Sequence, residues 1–184
     1  MAADVQPLLD DAQSRLESVL SEELIRHVEK LQSAAEKLEG YAILPGDYQT
    51  TIDDPPSIWV RYNREFDLAE EHRNDPEWKY CPDQWTNDAP EGFEETNAQL
   101  KELYTRLTRD HACDDQPIYD FAHKVILKCL STLRDKQLVA QSTYLVIWIS
   151  DSGDPIIADS TIALNNSDIV AACRTAGVLD GHDE

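Results

Sequence analysis

Thr143-Tyr-Leu-Val-Ile-Trp-Ile149 runs directly into Ser150-Asp-Ser-Gly-Asp-Pro155. The seven residues of the first stretch are β-branched, aromatic or leucine, and none is charged. A strand with one wet face alternates apolar and polar side chains. This one does not alternate, which predicts a strand buried on both faces, in the middle of a sheet. The polar run behind it ends the strand and turns the chain. Nothing else in the sequence is as apolar for as long, so the helices are expected to cover the sheet of this strand.

Upstream, Leu9, Ala12, Leu16, Val19 or Leu20, Leu24, Val28, Leu31, Ala35 and Leu38 recur at steps of three and four. That spacing predicts a helix, whole or broken near Ser21, that starts at Pro7 and stops at Gly40. His27 lies off the stripe and reads as a surface residue. Tyr41-Ala-Ile-Leu44 and Ser57-Ile-Trp-Val-Arg-Tyr62 read as strands paired in an antiparallel hairpin across a long loop. Phe93, Asn97, Leu100, Leu103 or Tyr104, and Leu107 define a helix over roughly 91–109. A wide stripe from Ile118 to Leu133 defines another, started by Pro117 and ending near Lys136. Behind the opening stretch, Ile156-Ile-Ala and Thr161-Ile-Ala-Leu164 read as one interrupted strand. Asn165-Asn-Ser-Asp168 then offers N-caps for a last helix that Gly177 stops.

This order predicts one α+β domain over 1–184, with frayed tails at 1–7 and 180–184. Its sheet is expected to be mainly antiparallel, of about four strands under about four to five helices. A chain of 184 residues, 41% apolar, can bury such a core.

Sixteen Lys plus Arg stand against thirty-six Asp plus Glu, a formal net charge of −20. Such a surface repels phosphates and anionic lipid, which argues against nucleic acid and membrane partners, and it attracts cationic ones. The same charge also serves plain solubility. No stretch approaches the roughly 18 apolar residues of a membrane span, and the N-terminus has no basic segment followed by an apolar run. Four scattered cysteines without a C-x-x-C fit free thiols and a cytoplasmic location.

Glu65 to Glu95 is the unusual segment. Eleven acids stand there against Arg73 and Lys79, interleaved with Phe66, Trp78, Tyr80, Trp85 and Phe93. An acidic disordered tail does not carry so many large rings. Either Trp78, Tyr80 and Trp85 pin a long loop to the domain, or they form a recognition surface with Glu70, Glu71, Glu77 and Asp83.

Candidate chemistry is sparse. There is no H-E-x-x-H, P-loop, G-x-G-x-x-G or G-x-S-x-G, and no cofactor is expected. Asp151 and Asp154, with Asp159 further on, could hold Mg²⁺ or Ca²⁺ at a strand end. The same residues are also ordinary turn formers, and a metal-free turn is expected. His111, Cys113, Asp114 and Asp115 form one short clump without a distant second ligand pair. Cys81 sits among acids, which quench a thiolate. His123, beside Lys124, reads as surface. No His or Lys is evident near the aspartates for acid–base work.

Trp78-Lys-Tyr-Cys-Pro-Asp-Gln-Trp85, the following helix with Phe93 and Asn97, and Trp148-Ile-Ser-Asp-Ser-Gly-Asp154 with Leu164-Asn165 behind it form a distinctive set. Together they resemble the uncharacterised, mostly bacterial family called domain of unknown function 4303. Its members show a similar aromatic element with Pro-x-x-Trp and a strand ending in Ile-Ser-Asp-Ser. The resemblance spans nearly the whole chain. The loop carrying Pro55-Pro56 departs from the family's more continuous first hairpin. The resemblance implies no activity, and it implies an association with toxin–immunity neighbourhoods.

Two functional expectations follow. One is a non-enzymatic acidic interaction protein, immunity-like, that binds a basic protein such as a toxin. The other is a metal-dependent hydrolase or other enzyme built on Asp151 and Asp154.

Overall fold

The computed structural model describes residues 5–33, 37–46, 55–111, 116–150 and 152–179, with backbone only at 109–111. They form a single α+β domain. The helices are α1 (Gln6–Gln32), α2 (Pro76–Tyr80), α3 (Glu94–His111), α4 (Gln116–Asp135), α5 (Pro155–Leu164) and α6 (Ser167–Thr175). The strands are β1 (Leu38–Pro45), β2 (Ile58–Arg64), β3 (Asn87–Ala89) and β4 (Tyr144–Ile147), in the sheet order β3-β2-β1-β4.

The first hairpin is antiparallel as expected, with Tyr41 opposite Tyr62 and Ile43 opposite Val60. β3 pairs antiparallel with β2, whereas β4 pairs parallel with β1. The sheet is therefore mixed, with two of its three pairings antiparallel. A parallel pairing needs a long crossover, and α3 and α4 lie in it.

Alternation along the strands divides the core. Tyr41, Ile43, Ile58, Val60, Leu145 and Ile147 face α1, α3 and α4. Ala42, Leu44, Tyr144, Val146 and Trp148 face the other way, toward Trp85, α5 and α6. β4 is thus buried on both faces, as its composition demands, and Trp148 is core at 8% exposure.

β4 is nonetheless an edge strand, not a middle one. Its outer edge is filled by side chains. Asn165, just past α5, accepts from Leu145 N–H at 2.9 Å and donates to Leu145 O at 2.7 Å. The Ser160 hydroxyl accepts from Ile147 N–H at 3.0 Å. An amide and a hydroxyl here take the place of a fifth strand. They satisfy buried backbone that would otherwise be costly and open to foreign pairing.

The interrupted strand read at 156–164 is a helix. Asp154 caps it by accepting from Ile156 N–H at 2.9 Å, with Pro155 in its first turn. Its buried residues Ile157, Ala158, Ser160, Thr161 and Leu164 follow a helical period. The β-branched composition suggested a strand, and packing against the edge of β4 overrode it. The fourth strand is instead β3, a short polar segment that carries no apolar alternation.

Two histidines read as surface residues are not. His27 is half-buried, and its Nδ1 lies 2.8 Å from the hydroxyl of Tyr41. His123 is 7% exposed. Each lies off the main stripe of its helix, but a second layer covers that side. Phe93 and Tyr62 pack against His27. The start of α5 lies against His123. Gln6 and Pro7 belong to α1, which shortens the tail expected at 1–7. The tail at 180–184 lies outside the described residues. The helix stop read at Gly40 is corrected: α1 ends at Gln32, and Leu38 and Gly40 belong to β1.

Two interactions not evident from sequence tie the helices together. The buried carboxylate of Glu23 on α1 accepts from Glu95 N–H and Thr96 N–H at 3.1 and 3.2 Å, capping α3 from a distance. Arg134 on α4 donates to Thr143 O at 2.7 Å and Leu164 O at 3.2 Å, and also to Ala140 O, joining three segments at the start of β4.

Candidate functional site

The acidic aromatic segment leaves β2 at Arg64 and forms a turn. It continues through α2, a 3-10 turn at Pro82–Gln84 and β3. Asp75 caps α2 by accepting from Glu77 N–H at 3.0 Å. The rings hold the segment in different ways. Trp85 is 5% exposed and lies on the sheet over Gly40, with its edge toward Tyr144. A Cβ at Gly40 would stand 2.5 Å from Cη2 of Trp85, so the glycine makes room for the indole. Tyr80, half-buried, meets Tyr144 edge-on at 5.3 Å. Trp78 does not reach the core. It stacks on His72 within the segment, centroids 3.8 Å apart and planes 7° off parallel. Phe66 is exposed at 57% and lies under the guanidinium of Arg73. The expectation of three pinning rings is therefore met by Tyr80 and Trp85 and corrected for Trp78.

The charges also divide. Arg61 of β2, beside the Trp59 ring, pairs with Asp83 at 2.8 Å and Asp88 at 2.9 Å. Asp83 accepts from the Ser150 hydroxyl as well, at 2.6 Å, which fastens the 3-10 turn to the end of β4. Asp67 pairs with Arg64 and accepts from the Asn87 side chain at 2.7 Å. Lys79 turns away to Glu39. Sequence spacing suggested that only Arg73 and Lys79 could compensate the acids. The sheet brings Arg61 and Arg64 across from β2, and Asp83 becomes a tether rather than a free carboxylate. Glu70, Glu71 and Glu77 are exposed and lack a Lys or Arg partner among the described residues, as do Glu65 and Glu91; the one ionic contact among these five is between Glu71 and His72, at 3.6 Å.

Cys81, at the centre of this segment, is half-buried, and burial pushes its thiol above the usual range. That favours the unreactive protonated form. Among the described residues Cys81, Cys129 and Cys173 are free thiols. Burial pushes Cys173 up to about 12.

The second candidate is a groove of about 480 Å³ between α4 and the start of α5. His123 and Lys124 line one side, and Asp154 and Asp159 the other. The fold thus supplies the His and Lys that sequence proximity did not reveal. Burial holds His123 below its ordinary pKa, against the opposing pull of Asp154 and Asp120. Asp154 is engaged as the cap of α5. Asp151 lies outside the described residues, as do Cys113, Asp114 and Asp115. Among the described residues no group of three or more His, Cys, Asp or Glu side chains could hold a metal ion, and no helix is long and apolar enough to cross a membrane.

No protein-family model, no curated protein and no solved structure matches the chain.

Proposed function

We propose that the protein is a non-enzymatic interaction module that captures a basic protein on the face formed by residues 65–91. The observation that carries this reading is the trio Glu70, Glu71 and Glu77. They stand exposed and uncompensated on a segment whose Tyr80 and Trp85 are packed into the domain. A fixed negative face raises the association rate of a cationic partner without a folding cost at encounter. The Trp78–His72 stack, half-exposed beside these acids, supplies an aromatic anchor of the kind that dominates interfaces. We extend the proposal, on the resemblance of its motifs to domain of unknown function 4303, to an immunity-like role, with a toxin as the basic partner and the cytoplasm as its place of action.

Immobilised wild-type protein should retain a basic protein from an extract of its own organism. Retention should fall as salt shortens the screening length from about 8 Å at 0.15 M to about 3 Å at 1 M. The combined Glu70→Gln, Glu71→Gln and Glu77→Gln variant should lose it. A partner held equally by wild type and variant at both salt levels would contradict the proposal.

The alternative reading, a metal-dependent hydrolase using Asp151 and Asp154, draws support from His123 and Lys124 in the α4–α5 groove. Calorimetric titration with Mg²⁺ separates the two. Binding heat that disappears in Asp154→Asn would favour the enzyme.

A further inference from the structure

We propose that the cavity between α1 and the β3–α3 loop binds a zwitterionic small molecule of the amino-acid class. This site lies beyond the acidic face and does not depend on the role given to it. The cavity holds about 610 Å³, within the usual range for small-ligand sites. Its α1 wall presents Arg26, His27 and Lys30, and the facing loop presents Glu91; Tyr62 and Leu31 supply apolar surface between them.

The other acids on the wall already have partners within the chain. Glu23 caps α3, Asp88 pairs with Arg61, and Glu94 accepts from Gly92 N–H at 2.9 Å. The donors on α1 are less closely engaged. Arg26 bonds its own helix at Glu22 O and, after the Gly92 N–H, helps hold the Glu94 carboxyl low, while among the described residues neither Arg26 nor Lys30 comes within ion-pair distance of a carboxylate. Arg26 and Lys30 stand one helical turn apart on this wall, in a chain of net charge −20.

His27 adds a third donor. The Tyr41 hydroxyl is fully buried, and His27 Nδ1 is its hydrogen-bond partner. Burial holds the phenol well above its usual pKa, so it keeps its proton and donates to Nδ1. Burial also brings His27 down to about 4, which leaves the ring neutral at pH 7. The ring proton is thereby assigned, from the hydrogen-bond network, to Nε2 on the opposite edge. Arg26, Lys30 and His27 Nε2–H together suit a carboxylate, and Glu91 suits an ammonium. A zwitterion meets both walls and carries no net charge, so the acidic protein does not repel it. A bare anion would be repelled.

Titration of the whole chain with L-leucine, followed by amide NMR shifts and calorimetry, tests the assignment. L-Leucine should shift the amides of α1 around His27 and of the Pro90–Gly92 loop. 4-Methylpentanoate, which lacks the ammonium, and 3-methylbutylamine, which lacks the carboxylate, should each bind at least about tenfold more weakly, the loss expected for one charge-assisted bond. Arg26→Gln and Lys30→Gln should weaken L-leucine to a similar extent. Both positions are exposed, so the melting temperature should stay unchanged. No shift with L-leucine up to about 10 mM, equal binding of either analogue, or unchanged affinity in both variants would overturn the proposal.

Discussion

Trp148→Ala should destabilise the fold by about 3–5 kcal/mol, the range for large aromatic truncations in cores. Trp148 closes the layer between the sheet and α6, in one cluster with Leu44, Val146, Ile157 and Trp85. Its backbone N–H also extends the parallel pairing, donating to Ile43 O at 2.9 Å. Truncation leaves a hole under two helices that packing elsewhere cannot refill. Trp148→Phe should cost much less. It keeps a ring in place and removes an indole N–H that is buried without a hydrogen-bond partner among the described residues. Urea denaturation gives both values. A loss below about 1 kcal/mol for the alanine variant would mean that this face of the sheet is not core.

Asn165→Leu should cost about 3 kcal/mol. Leucine matches the size of the side chain and removes every hydrogen bond it makes to Leu145, along with the bond to Thr161 O at 2.9 Å. Leu145 is fully buried, so its N–H and C=O would be left without partners, at about 1–3 kcal/mol for each unsatisfied group. The exposed strand edge should also raise the tendency to self-associate. Denaturation and light scattering read the two effects. An unchanged midpoint would show that Asn165 does not serve as the missing neighbour of β4.

These two residues show what the sequence could and could not convey. The uninterrupted apolar run at 143–149 specifies burial of both faces, because side-chain chemistry responds to faces. It carries no information about the strand's edges, which are backbone. The residues that fill the edge lie 13 and 20 positions downstream of their partners, where Asn165 reads as a helix cap and Ser160 falls in the gap of the interrupted strand. The same blind spot produced the strand read at 156–164. β-Branched residues dominated that reading, although Asp154-Pro155 is a helix start and the buried positions follow a helical period.

The acidic segment was legible as a segment, by its rings and its charge. Its internal economy was not. Whether Asp83 is free or tethered depends on Arg61 and Ser150, which lie 22 and 67 residues away in sequence. His27 and His123 were misplaced for a related reason. A helical stripe reports the face turned to the main core, and both histidines are covered by a second layer that only the tertiary arrangement brings in.

Tyr80 and Trp85 hold residues 65–91 as a fixed face rather than a loose loop. Limited proteolysis with a glutamate-specific protease, read by mass spectrometry, tests it directly, because Glu70, Glu71 and Glu77 are exposed but sit on a segment held by Trp85 and Tyr80. The free wild-type protein should resist cleavage at these sites. Gly40→Ala, which forces the Trp85 ring out of its seat, should be cut there readily. Rapid cutting of the wild type at Glu70, Glu71 or Glu77 under the same conditions would contradict the account.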